Sequence, residues 1–167
     1  MKSDDTPVVW LDLQFGEISD AVQRLCLDEQ ELRHLIGCAI TGLREEVELN
    51  VRVVDKAESQ RLNARYRSVE RATNVLAFPV EGLEEIAHAF IGDVVVCGPV
   101  VEQEARQQNK SFAAHFSHLV VHAVLHLLGY DHQDQDEAEV MELREREVLS
   151  MLGIEDPYKE RTGPAAR

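Results

Sequence analysis

Four histidines, His115, His118, His122 and His126, lie on one strongly apolar stretch, Ser111–Leu128. On a helix they fall within an arc of about 80°. The other positions are apolar nearly all round, so the helix belongs inside a packed body, and every imidazole buried with it needs a polar partner. Gly129 is the natural stop, because glycine freely takes the left-handed conformation that ends a helix.

The rest of the chain reads as material to cover that helix. Val8–Leu13 is a short apolar run of strand character, and Val47–Val54 alternates apolar with polar residues at the period of a half-buried strand. Asn74–Val80 and Ile91–Cys97 are two more β-rich runs, joined by an acidic segment, Glu81–Phe90, too long for a tight hairpin. Asp28, with Glu31 three residues on, caps a helix over Glu29–Thr41, and Asp55 caps a polar one over Lys56–Tyr66. From Val100 the pattern is helical: one piece to about Gln108, then Ser111–Leu128, then a charged amphipathic helix over about Asp134–Leu152. In that last helix Ala138, Met141, Leu143, Val148 and Leu152 are available for packing. Early strands and late helices predict an α/β (α+β) fold: a small mixed sheet of about four strands covered by about five helices. A length of 167 residues suits a single domain, placed at 1–156, with a flexible C-terminal tail at 157–167.

The formal charge is −14, which argues against binding nucleic acid by bulk charge. Cys26, Cys38 and Cys97 contain no CxxC pair and make at most one disulfide, which fits a reducing compartment. The N-terminal residues carry no apolar secretory core, and no stretch approaches the ~18–20 apolar residues of a membrane span. A cytoplasmic protein without membrane contact is the expectation.

His122 and His126 are spaced i, i+4, which projects two ring nitrogens from consecutive turns toward one ion. Gly129 lets the chain reverse, and His132 stands three residues further, able to fold back as a third ligand. Three imidazoles around Zn²⁺ leave a fourth position open, the catalytic rather than the structural arrangement. A second assignment moves the helical pair to His118 and His122, also i, i+4. His115 is either a group around the site or simply an exposed residue, and for His115 the plainer, exposed reading is preferred. Asp131 and Asp93 are candidates to orient a ligand imidazole through its other nitrogen. His118 is placed either as a proton shuttle or as a helix-face residue. The spacing His-x₃-His-x₂-Gly-x₂-His is that of metzincin proteases. Their Glu general base, however, is replaced by Ala123, so peptide hydrolysis is disfavoured.

The string HLVVHAVLHLLGYDH, His118–His132, closely resembles the signature of the YbeY family of bacterial metal-dependent endoribonucleases. LNARYRSVERATNVLAFP (Leu62–Pro79), IGDVVV (Ile91–Val96) and LGIEDPY (Leu152–Tyr158) resemble further family segments in the same order. Ala123 departs from the family's usual Gly. Ser68-Val69-Glu70 replaces a Gly-Lys-Asp that often follows Tyr-Arg, which removes a lysine from an RNA-facing loop. The resemblance implies a single α/β domain with one Zn²⁺ per chain on His122, His126 and His132. It implies a functionally important Arg67 and action on single-stranded RNA, in 16S rRNA 3′-end maturation and ribosome quality control. The implied partners are ribosomal RNA, the small ribosomal subunit, and a ribosomal protein or assembly GTPase.

The chemistry is compatible. A three-histidine zinc generates a nucleophile from water, and a phosphodiester also needs positive charge on its non-bridging oxygens, which the planar guanidinium of Arg67 supplies. Arg61, Arg65, Arg67 and Arg71 concentrate four of the 17 basic residues within one short stretch. They form either a phosphate-binding patch or a solvated helix face paired with Glu58 and Glu70. Two rival functions stand beside the nuclease: a non-catalytic, zinc-containing ribosome-assembly factor, and a zinc hydrolase acting on another substrate.

Overall fold

Val47, Leu49, Val51 and Val53 are fully buried, and Val54 turns to the other side, so the second strand is packed on both faces. The computed structural model that shows this describes residues 6–80, 89–131 and 133–159. His132, most of the acidic connection (residues 81–88) and the tail from 160 onward lie outside the described residues.

Four strands, β1 (Val8–Phe15), β2 (Glu46–Val54), β3 (Val75–Pro79) and β4 (Phe90–Cys97), form one sheet in the order β1-β2-β4-β3. β1 and β4 run parallel to β2, and β3 runs antiparallel to β4. The helices are α1 (Asp20–Leu25), α2 (Glu29–Ile40), α3 (Lys56–Arg67), α4 (Gly98–Gln107), α5 (Phe112–Leu127) and α6 (Gln135–Met151). The mixed four-stranded sheet matches the expectation from sequence. The helix count among the described residues is six rather than five, because α1 has only Val22 buried and too few turns to show a period.

Strand alternation sorts the apolar side chains into two layers. Val51 and Val53 of β2 and Val94 and Val96 of β4 join Leu32, Ile36, Phe116, Val120 and Val124 in the main core under α2, α5 and α6. Val54, Leu76, Val95 and Cys97 face the opposite side, where Leu62 of α3 covers them. Helix α5 is therefore sandwiched: it packs on β3 and β4 below and touches α2, α4 and α6 around it. Ten of its residues are buried, which is why an almost wholly apolar sequence is stable there.

The caps follow the sequence. Asp28 and Glu31 make a reciprocal capping box at α2, and Asp55 accepts the Glu58 N–H at α3. In α6 the buried stripe is Met141, Glu145, Val148 and Leu149. Leu143, expected to pack, is 55% exposed because it points off that stripe.

Candidate metal centre

The end of α5 is set by a Schellman motif. Gly129 has φ 102°, its N–H donates to the His126 carbonyl, and the Tyr130 N–H donates back to the Leu125 carbonyl. This reversal turns the chain immediately after His126, as the sequence anticipated from Gly129.

His122 and His126 stand on consecutive turns with ring centroids 5.0 Å apart and planes at 78°. The buried Ala123–Leu125 fix the helix between them against the core. His122 is partly exposed, and its Nδ1 lies 2.6 Å from Oε1 of Glu145 on α6. Glu145 is completely buried. Its Oε2 accepts from the Tyr158 hydroxyl at 2.5 Å, and the Tyr158 oxygen lies 3.2 Å from His118 Nε2. His118 Nε2 is also 3.6 Å from Glu145 Oε1, beyond hydrogen-bond length.

Burial by itself would raise the Glu145 carboxyl, but His118, His122 and Tyr158 together outweigh it and hold the group down at about 2. The same arrangement pushes the Tyr158 phenol upward, first through burial and then because the adjacent carboxylate opposes a second negative charge. Glu145 is thus an ionised carboxylate in a buried site, tolerable only because its oxygens are met by donors.

The neighbouring histidines divide by role. His115 Nε2 is 2.9 Å from Glu104, whose same oxygen accepts from Asn74, so His115 ties α5 to α4 and to the start of β3. The plain reading of His115 as an exposed residue is corrected: the side chain is buried, because α5 packs it against Glu104 of α4. Asp93 accepts from Asn50 across the sheet, 2.7 Å apart. The carboxylate found on His122 is Glu145, a residue not singled out from sequence. Asp131 stands just past the turn. His132, the expected third ligand, lies outside the described residues.

Arg67 is exposed at the C-terminal end of α3, where Ser68 takes φ 58° and ends the helix. Helix α3 covers the face of the sheet opposite to α5. Both layers touch β3: Tyr66 meets Phe78 edge-on at 5.1 Å, while α5 packs on that strand from the other face. Arg65 lies over the Tyr66 ring at 5.3 Å, and Arg61 and Arg71 are exposed as well.

Among the described residues no group of three His, Cys, Asp or Glu is gathered as a complete metal site. Two of three proposed ligands are nevertheless juxtaposed, and the donor chemistry fits. A Nδ1–H donated to Glu145 puts the lone pair of His122 on Nε2, the state a metal-binding imidazole requires. Sequence reasoning missed Glu145 and Tyr158. Glu145 occupies an apolar position of the α6 stripe, four residues after Met141 and three before Val148, and a lone carboxylate there was the available signal.

The chain matches the family model described as Endoribonuclease YbeY over residues 17–153. It is similar to the solution structure of TM1509 from Thermotoga maritima, with 28% identity, a TM-score of 0.51, and coverage of 92% of this chain and 100% of that one. With the match running from before α1 to the end of α6, and the histidine helix at the centre of the fold, the chain belongs to the YbeY endoribonuclease family.

Proposed function

We propose that this protein is a single-strand-specific, zinc-dependent endoribonuclease. In this reading it acts in ribosomal RNA processing, in particular 16S rRNA 3′-end maturation, and in ribosome quality control. The observation that carries the reading is the imidazole pair His122 and His126, with the outer nitrogen of His122 held by a buried carboxylate, in a chain of this family. His132 is the third ligand in this proposal, with one zinc per chain. Zinc bound by three imidazoles supplies Lewis acidity and activates water at neutral pH. The residues of the chain bind and orient. Arg67 clamps the phosphate and offsets its developing charge, and the exposed arginines of α3 hold the neighbouring backbone. The partners in this reading are ribosomal RNA and the small ribosomal subunit, with a ribosomal protein or an assembly GTPase, and the compartment is the cytoplasm. No helix among the described residues is long and apolar enough to cross a membrane.

The test is chelation followed by zinc re-addition on single-stranded ribosomal RNA, wild type beside Arg67→Ala. Cleavage should vanish and return in the wild type. Arg67→Ala should keep its zinc and lose about 10²–10³ in rate, the usual cost of one lost charge-stabilising donor. Cleavage indifferent to chelation would defeat the proposal.

A second reading, a non-catalytic assembly factor, is favoured by the −14 charge and by Ala123 in place of a general base. It requires Arg67→Ala to impair ribosome binding and processing together. A zinc hydrolase acting on a peptide or amide would instead show turnover of a peptide library by metal-replete protein.

A further inference from the structure

A fully buried carboxylate in the packing stripe of α6 is costly, and an apolar residue would fill the place between Met141 and Val148 without that cost. What Glu145 does there follows from the direction of its hydrogen bonds. Tyr158 O–H donates to Oε2, so the Tyr158 oxygen is left to accept from His118 Nε2–H. That proton assignment leaves His118 Nδ1 as an unprotonated nitrogen, and this atom is buried without a partner among the described residues. On the other side Oε1 lies 2.6 Å from His122 Nδ1, within reach of a proton carried on that nitrogen. Tyr158 and His122 thus meet the carboxylate at one oxygen each, and an ionised Glu145 is satisfied by only one tautomer of His122, the one with its proton on Nδ1.

We propose that Glu145 and Tyr158 form a positioning pair that locks His122 in the Nδ1–H tautomer and thereby sets the affinity of the metal centre. This rests on the zinc reading above. The end of the chain completes the device. After α6, Gly153 takes φ 73° and the Ile154 N–H donates to the Leu149 carbonyl, a second Schellman reversal. The returning segment is pinned by Asp156, which accepts from Arg146 Nε at 3.3 Å and from the Tyr158 N–H at 2.8 Å. The Arg146 guanidinium lies over the Tyr158 ring at 5.4 Å. Tyr158 therefore reaches the carboxylate from outside α6 and supplies its second donor.

The experiment uses the full chain, wild type, Glu145→Gln, Tyr158→Phe and His126→Ala. Zinc affinity is read by competition with a chelator, and the tautomer of His122 by ¹⁵N NMR of the metal-free protein. Gln keeps the shape of Glu but offers one acceptor oxygen where two donors arrive. Glu145→Gln should weaken zinc binding about 10–100-fold, as for other residues that orient a metal ligand. His122 should shift from Nδ1–H to a mixture of tautomers, with secondary structure unchanged. Tyr158→Phe should weaken binding in the same direction, by less. Zinc affinity and tautomer both unchanged in Glu145→Gln, while His126→Ala loses zinc, would overturn the proposal and leave the zinc reading standing. Affinity unchanged in His126→Ala would overturn the zinc reading itself. If Glu145→Gln does not fold, Tyr158→Phe and the wild-type spectrum decide, and a wild-type His122 protonated on Nε2 overturns the proposal.

Discussion

His115 is almost as buried as the valines around it, and burial lowers its pKa below 6.5. Glu104 pulls the other way, while Lys110 and His118 add to the lowering. The neutral form is thus favoured in the folded protein. Its contribution to stability is complete above about pH 6.5 and is lost as the pH falls through the depressed folded value. Urea midpoints measured from pH 7.5 to 5 should fall, and His115→Gln should flatten part of that slope; an unchanged slope would contradict the assignment. The Cys26 thiol is likewise pushed up by burial, to about 11, so it should alkylate far more slowly at pH 8 than a free thiol, as mass spectrometry would show. At this scale the sequence was readable where geometry follows helical spacing, as for the juxtaposed rings of His122 and His126. It was silent where the partner is distant: Glu145 sits among Glu142, Arg144, Arg146 and Glu147, a context that reads as a solvated face. Only the packing of α6 against α5 makes it a buried acceptor.

Helices and strands with several turns or alternations were legible in place and type, including the stop at Gly129 and the caps at Asp28 and Asp55. Helix α1 was not, because six residues with one buried side chain carry no period. Gly92 shows a constraint that pattern alone does not expose. It has φ 135° beside the register shift between Glu48 and Leu49, and a Cβ there would stand 2.2 Å from the Phe78 carbonyl oxygen. Backbone cannot yield as a side chain can, so Gly92→Ala should destabilise by about 2–4 kcal/mol, more than the ordinary cost of an alanine forced to positive φ. Gly129→Ala meets nothing within 4 Å and carries only the conformational cost of about 1 kcal/mol. Thermal unfolding of the two variants side by side checks the contrast, and equal losses would refute it.

Over the whole molecule, a net charge of −14 coexists with four exposed arginines on and just beyond one helix. If α3 meets an RNA backbone, each of Arg61→Ala, Arg65→Ala and Arg71→Ala should weaken binding and reduce the salt dependence by about 0.7 per lost contact. Filter-binding titrations at several salt concentrations read this directly, and unaltered slopes would return the cluster to a solvated face. The sheet separates α3 from α5, and that both touch β3, from opposite faces, is a tertiary fact no spacing could convey. The measurement that tests the central claim most directly is metal content by mass spectrometry on untagged protein, wild type beside His126→Ala, with matched cleavage assays on ribosomal RNA. A catalytic three-histidine centre requires about one zinc per wild-type chain, by the stoichiometry of a single site, and loss of both zinc and cleavage in a folded variant. Full zinc in His126→Ala, or cleavage that persists without it, would contradict the account.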